Sequence, residues 1–320
     1  MTTSPRMLWD LPTLLREVPG RKWFRCPLRR YTSFRIGGPA DALIRLEEPA
    51  ALRHLQALAC EHDIPLLMLG GGSNLLVRDN GIRGIVVLLR GGFCSYRIES
   101  GQDQASAESA LVRAGVGCPL SQLAMRLGRQ GWQGMEFAYG IPGTLGGAMV
   151  MNAGTHLGDL RQVMTAACVL LADGQEQRLS VEALGLRYRT SSYPPGAIIL
   201  GATIRLQRGE PEDILAVMQA AYRRRHRTQP LWLPNAGSIF KNPPGVAAAR
   251  LIDALGLKGS QIGGAMVSPQ HANFIVNVDR ATAADVERLM ALIRRRVQKA
   301  YGITLEPEVR IVGEEKACLE

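Results

Sequence analysis

Four side chains in this sequence are of a type to move a proton or hold an anion: Arg189, Ser238, Glu306 and Glu308. Arg189 lies in Tyr188-Arg-Thr-Ser191, close to a Pro-Pro-Gly turn, and Ser238 lies in Gly237-Ser-Ile-Phe-Lys-Asn242. The two glutamates flank Pro307 before a terminal strand-like run. Each also has an ordinary reading. A serine after glycine is commonly a turn residue, an arginine at a strand end is commonly solvated, and glutamates in one strand commonly face water. Taken singly, they do not define a site.

Main-chain chemistry is the second possibility. The stretch Glu136–Gly154 contains Pro142, Gly143, Thr144, Gly146 and Gly147 within an apolar run, so it is not a polar linker. Pro142 suits the first turn of a helix, and the glycines let a backbone come close to another surface. Unpaired N–H groups at a helix start, with the positive end of its dipole, attract anions such as a diphosphate. A glycine-rich structural turn is the competing reading. Gly70-Gly-Gly-Ser-Asn74 follows a buried strand and offers N–H groups of the same kind, as an anion nest. Its spacing is not Gly-x-Gly-x-x-Gly, and Arg78–Gly81 reads as a turn. A dinucleotide-binding βαβ crossover is therefore not expected.

Other classes lose support quickly. There is no Gly-x-Ser-x-Gly elbow and no His-Glu-x-x-His, and His54, His62, His156, His226 and His271 are dispersed, so no metal site is expected. Six scattered cysteines without a Cys-x-x-Cys fit reduced thiols of a cytosol. No apolar run approaches the ~20 residues that span a bilayer. Asp10, Pro12 and Glu17 interrupt the first twenty residues, which do not read as a signal peptide. The formal charge of +10 draws on Arg223-Arg-Arg-His-Arg227 and Arg294-Arg-Arg296. Nucleic-acid binding is one reading of it, yet aromatics make up only 5% of the chain and none interleaves with these runs. A solvated helix face or attraction for a phosphate-bearing ligand are the others.

At 320 residues the chain exceeds one ordinary core. Residues 1–20 read as a peripheral helix. Residues 21–89 read as a small α/β unit, with strands at 42–46, 64–69 and 85–89 and a helix at 49–63. Over 90–210 the pattern predicts strands at 93–99, 110–114, 165–171, 177–179 and 197–206, largely antiparallel. A helix at 119–127 ends on Gly128. Residues 211–313 open with a helix whose Ile214, Val217, Met218, Ala221 and Tyr222 share a face. A helix at 247–255, a strand at 273–278 and a helix at 283–300 follow, the last capped by Thr282 and Asp285. The stretch 303–313, with a strand bounded by Pro307 and Gly313, and a tail, 314–320, complete an α+β chain.

Together these segments resemble the UDP-N-acetylenolpyruvoylglucosamine reductase family, flavoenzymes of peptidoglycan precursor synthesis. The matching motifs are Thr32-Ser-Phe-Arg-Ile-Gly-Gly38, Leu69-Gly-Gly-Gly-Ser-Asn74, Gly140-Ile-Pro-Gly-Thr-Leu-Gly-Gly-Ala148, Asn152-Ala-Gly154, Tyr188-Arg-Thr-Ser191, Gly237-Ser-Ile-Phe-Lys-Asn-Pro243 and Leu305-Glu-Pro-Glu-Val-Arg310. They occur in family order. The resemblance implies an FAD-binding domain of the vanillyl-alcohol-oxidase (PCMH) type, spanning residues 35–207, followed by a C-terminal α+β substrate-binding domain. It implies non-covalent FAD held by Gly70, Gly71, Gly72, Ser73, Asn74, Leu75, Gly143, Thr144, Gly146, Gly147, Asn152, Ala153 and Gly154. It further implies NADPH as co-substrate and UDP-N-acetylglucosamine enolpyruvate as the molecule reduced. Arg189 and Glu308 would sit at the enolpyruvyl carboxylate, and Ser238 would give a proton to the α-carbon. Tyr188, Lys241, Asn242 and His271, with the cluster around Arg224 and Arg225, would meet the substrate. No metal, nucleic acid or membrane is implied, and a cytoplasmic monomer is expected.

Some features depart from the family pattern. The short gap from Ser191 to Ala202 lacks an insert that carries a lid tyrosine in one subclass, so the chain resembles the shorter subclass. Tyr193 stands where Phe is commoner, and Asp253 where Glu is commoner. Two alternatives remain: an FAD oxidase of the same superfamily acting on an alcohol, and a basic nucleic-acid-binding protein. An alcohol oxidase has no use for a proton donor to carbon, so Ser238 with Arg189 and Glu308 disfavours the first.

Overall fold

The computed structural model describes residues 9–100 and 108–315. The expected N-terminal helix is a single turn, α1 (Leu11–Leu14), and residues 1–8 and 316–320 lie outside the described residues. The first sheet combines β1 (Arg21–Pro27), β2 (Pro39–Leu46), β3 (Leu66–Met68) and β5 (Ile82–Leu89) in the order β1-β2-β5-β3. Helix α2 (Pro49–Glu61) joins β2 to β3, and short β4 (Leu75–Val77) follows β3. Strands β2, β5 and β3 are parallel, and β5 is apolar at nearly every position because both faces are covered. Its Ile85, Val87 and Leu89 join one core while Val86 and Leu88 join another. β1, which pairs antiparallel with β2, was not legible as a strand: its Trp23 and Phe24 are exposed and it lacks alternation.

The second sheet holds β6 (Tyr96–Ser100), β7 (Ser109–Gly115), β8 (Trp132–Gln133), β11 (Met164–Leu170), β12 (Glu176–Ser180) and β13 (Ile198–Arg208), all antiparallel. Phe93 belongs to a 3-10 turn (Gly91–Cys94) rather than to β6, because it turns inward to a buried position. Helix α3 (Leu120–Arg129) runs through Gly128 instead of ending there. A side chain at Gly128 would come within 3.0 Å of Ile214 and Met218, so that glycine serves helix–helix approach. Helix α4 (Leu145–Met151) and the hairpin β9 (Gly154–Thr155) and β10 (Gly158–Asp159) precede β11.

Helix α5 (Pro211–Thr228) sends Ile214 and Met218 into the core shared with α3. Val217 and Tyr222, expected on that face, are 44% and 39% exposed. Gly128 lets the two helices meet so closely that a narrow stripe suffices to seal the contact.

The last part of the chain contains α6 (Ala248–Ala254), β14 (Gln261–Ile262), β15 (Ala265–Val267), β16 (Ile275–Asn277), α7 (Ala283–Tyr301) and β17 (Arg310–Val312). β14, β15 and β16 form an antiparallel sheet covered by α7. Val286, Leu289, Met290, Ile293 and Val297 form the buried stripe of α7, each contributing ~1.5–3 kcal/mol. Thr282 and Asp285 close a capping box. Asp79, far away in sequence, accepts from the N–H groups of Ala283 and Ala284 at 2.9 and 3.1 Å. The strand expected between Pro307 and Gly313 is β17, which begins only at Arg310; Pro307 itself cannot donate to a ladder. Glu306 and Glu308 therefore lie in the extended segment before it. β17 pairs in parallel with β4, so the end of the chain returns to its first quarter.

Candidate active site

Where the first sheet, the second sheet and the C-terminal segment meet, there is a cavity of about 1040 Å³. One wall is main chain. Gly71 faces Gly143 so closely that a Cβ on Gly71 would lie 2.6 Å from the Gly143 Cα. Ser73 Oγ donates to the Pro142 carbonyl at 3.0 Å and locks the two loops together. The N–H groups of Gly70, Gly71, Gly72, Ser73 and Asn74 find no acceptor among the described residues. Such a run of free donors holds an anion.

The helix-start reading needs correction. Thr144 caps α4, so Pro142 lies two residues before the cap instead of in the first turn, and the helix is only seven residues long. The N–H groups of Leu145 and Gly146 are already given to Cys118 and Val116 at 2.9 and 3.0 Å. The donors left for a diphosphate are chiefly those of the 70–74 loop. Gly147 adds space: a Cβ there would meet nothing nearer than 3.9 Å, so packing within the protein does not explain its missing side chain.

The opposite end is lined by side chains. Arg189 occupies the second central position of a tight turn closed by reciprocal bonds between Arg187 and Thr190. Its φ of 55° is a left-handed value that a non-glycine residue adopts at a cost of ~1 kcal/mol or more. The turn aims the guanidinium inward. Nε meets Glu308 Oε1 at 2.8 Å, Nη2 donates to Gly154 O at 2.9 Å, and Nη1 donates to Asn152 O at 3.3 Å. The Tyr188 ring lies under the guanidinium at 5.1 Å.

Glu308 is held by its own backbone. Its N–H donates to Ile239 O at 2.8 Å, and its carbonyl accepts from Asn74 Nδ2 at 3.0 Å. Burial raises its pKa above the ordinary glutamate value, although Arg189 and Lys241 both pull the other way. Ser238 follows Gly237, whose φ is 75°. Buried Asn273 fixes this loop: its carbonyl accepts from Ile239 N–H, its Oδ1 from Phe240 N–H, and its Nδ2 donates to Phe240 O. Ser238 Oγ itself has no partner among the described residues. Nothing in the sequence signals the Asn273 clamp, since its partners are main-chain atoms of distant residues, 33 positions away for Phe240.

Gly70, Gly71, Gly72, Ser73, Asn74, Leu75, Gly143, Thr144, Gly146, Gly147, Ala153, Gly154, Arg189, Ser238, Lys241 and Glu308 all line the cavity. Asn152, Tyr188, Asn242 and His271 do not. Asn152 is buried and ties Asp159, Arg161 and Arg187 together. Asn242 Oδ1 accepts from Ala248 N–H, and Tyr188 is half exposed beside it. His271 Nδ1 accepts from Asn273 N–H, and burial, with Lys258, lowers its pKa. A neutral, internally bonded imidazole is a poor diphosphate ligand.

Three cavity-lining polar atoms are buried without a partner: Tyr193 Oη, Arg225 Nε and Gln229 Oε1. Buried polar groups are normally satisfied, so a ligand is expected to bond them. Gln229 did not stand out in the sequence, where it is one polar residue beside a proline, and Tyr193 did so only as a departure from the family's commoner Phe. Free main-chain donors, the space at Gly147 and these orphaned atoms together fit a large, polar, anionic cofactor.

Residues 40–180 match the FAD binding domain family, and residues 229–312 match the C-terminal domain of UDP-N-acetylenolpyruvoylglucosamine reductase. The chain is 44% identical over 304 residues to UDP-N-acetylenolpyruvoylglucosamine reductase 2 of Symbiobacterium thermophilum, covering 95% of this chain and 96% of the relative. It is 45% identical over 299 residues to the reductase of an Anaeromyxobacter species, covering 93% and 91%. This chain belongs to the UDP-N-acetylenolpyruvoylglucosamine reductase family. The crystal structure of the Thermus caldophilus reductase superposes with a TM-score of 0.77 at 36% identity, covering 92% of this chain and 98% of that one. The architecture is accordingly an FAD-binding domain followed by a C-terminal α+β domain. The protein is a flavin-dependent oxidoreductase acting on a CH–CH bond, which replaces the alcohol-oxidase and nucleic-acid-binding readings. Among the described residues there is no metal-holding cluster and no helix long and apolar enough to cross a membrane.

Proposed function

We propose that this protein reduces the enolpyruvyl ether of UDP-N-acetylglucosamine to the lactyl ether, giving UDP-N-acetylmuramate for peptidoglycan. NADPH is the reductant. The chemistry supplied by bound FAD is hydride transfer, taken from NADPH and passed on to the enolpyruvyl β-carbon. Residues 21–210 hold the cofactor and 211–313 the sugar nucleotide, with α5 packed back against the cofactor side. Such substrates are cytosolic metabolites, and a cytoplasmic monomer is the expected form.

Hydride addition to the β-carbon drives negative charge into the carboxylate as an enolate. Arg189 meets that charge with a guanidinium already fixed by two carbonyls, so little reorganisation is needed as the charge appears. Glu308, whose buried carboxyl holds its proton to higher pH than a free glutamate, donates a hydrogen bond to the enolate oxygen. Ser238 Oγ, which has no partner to surrender, passes its proton to the α-carbon and recovers one from solvent. A serine is a weak acid, but the carbon it protonates is strongly basic, and position dominates. Lys241, paired with Glu306 at 3.4 Å, is the cation available for the substrate diphosphate.

The observation that carries this reading is the convergence of Arg189, Ser238 and Glu308 on one cavity that also bears both glycine loops. Ser238→Ala tests it. Bleaching of the flavin by NADPH should be nearly unchanged, whereas reoxidation by the enolpyruvyl substrate should slow by ~10²–10⁴-fold. Equal slowing of both half-reactions in stopped-flow would remove Ser238 from its assigned role.

A further inference from the structure

Tyr193 is the least accounted-for polar residue of the cavity. Its hydroxyl oxygen is buried and without a partner, while its ring packs against the large core. The loop that carries it has little freedom to swing the hydroxyl out. Ser191 Oγ donates to Val150 O at 2.7 Å, Ser192 N–H donates to Leu184 O at 2.7 Å, and Ala197 N–H closes a turn onto Pro194 O. Only burial acts on the phenol, raising its pKa, so it stays a neutral group able both to donate and to accept.

Its surroundings indicate which part of the cofactor it meets. The turn closed by Ala197 N–H onto Pro194 O carries the chain from Tyr193 directly into β13, whose Ile199 also lines the cavity, and Val116 N–H donates to Leu200 O at 3.1 Å. Val116 packs under Gly146 of the glycine wall, whereas Ser238 and Glu308 belong to the C-terminal segment. Leu67, Leu89, Val116 and Ile199 add apolar surface to the cavity. A flat heterocycle suits such a slot, and its edge nitrogens or ribose hydroxyls would satisfy a lone phenol.

We infer that Tyr193 Oη hydrogen-bonds the adenosine half of FAD and positions the cofactor from the end remote from the chemistry. The inference rests on FAD being the molecule that fills the cavity. It needs nothing of the catalytic roles given to Ser238, Arg189 and Glu308.

Tyr193→Phe removes one oxygen and keeps the ring. Flavin fluorescence during dilution of the holoenzyme gives the FAD dissociation constant, and displacement of FAD by ADP gives that of the shared half. Losing one neutral hydrogen bond should weaken both FAD and ADP by the same factor, roughly three- to tenfold. The visible flavin spectrum and the rate of bleaching by NADPH at saturating FAD should not change. Unchanged FAD affinity in the variant would overturn the inference. So would weakened FAD with unchanged ADP, or a shifted flavin spectrum, since either places the hydroxyl at the isoalloxazine half. Failure of the wild-type protein to bind FAD would instead remove the cofactor assignment itself.

Discussion

At one end of the cavity the wall is main chain, and at the other it is side chains held in place by main chain. Gly70–Asn74 and Gly143–Gly147 present N–H groups and bare Cα atoms, locked by a single serine contact. Arg189, Ser238 and Glu308 come from three distant stretches, each on a backbone fixed by bonds to a fourth or fifth. The first end can recognise a shape and a charge that do not change during turnover. The second can respond to charge that appears only in the transition state. Damage at the first should therefore appear as lost cofactor, and damage at the second as lost rate.

Arg189→Ala should give the largest separation. Reoxidation of the reduced flavin by substrate should slow by ~10²–10³-fold, the usual loss on removing a preorganised anion-stabilising group, with FAD retained. Gly71→Ala should do the reverse. Its Cβ would fall 2.6 Å from the Gly143 Cα, and overpacking of ~1–3 kcal/mol corresponds to a roughly 5- to 150-fold weaker hold on FAD. Turnover per bound flavin should hold. The comparison breaks if Arg189→Ala comes off the column colourless while Gly71→Ala stays yellow and slow.

Acidity provides a finer test. Burial raises the Glu308 pKa, so its proton-bearing form survives above the ordinary glutamate range. The reoxidation rate should fall as pH rises through that raised value, by about tenfold per unit once past it. Arg189 lowers this pKa, so Arg189→Ala should carry the falling limb to higher pH. Glu308→Gln should abolish the limb; one that persists belongs to another group.

The smallest effect should come from Gly147→Ala. In a helix interior the change stabilises by ~0.5–1 kcal/mol, and the new methyl meets nothing nearer than 3.9 Å. Thermal unfolding should show a firmer apoprotein that nevertheless binds FAD less tightly. Unchanged FAD affinity would mean that the space beside Gly147 serves no ligand.

How much of this was legible in the sequence follows the same division. Glycine runs, proline and helix periodicity are local signals, and α2, α3, α7, β11 and β13 emerged close to their expected ranges. The glycine wall was visible because only glycine tolerates such approach. The partner of Arg189, the Asn273 clamp and the seat of Ser238 on the Glu308 segment depend on contacts tens to more than a hundred residues apart. No spacing rule encodes these; resemblance to a family brought Arg189, Ser238 and Glu308 together, and nothing pointed to Asn273. Asn152, Tyr188 and Asn242, and His271 outside the motifs, show the converse: polar residues picked out by resemblance can be engaged in internal hydrogen bonds off the cavity lining.

The parallel pairing of β4 with β17 joins segments that leave the ribosome far apart in time. Arg78 and the carbonyl of Gly313, bonded at 3.4 Å, are separated by 235 residues. At ~5–20 residues per second, the earlier strand waits roughly ten to fifty seconds for its neighbour to be synthesised. The carboxyl group at Glu308 arrives in the same late instalment. A nascent chain therefore gains its clasp and its chemistry together, and a truncated product stopping before Glu308 should acquire neither.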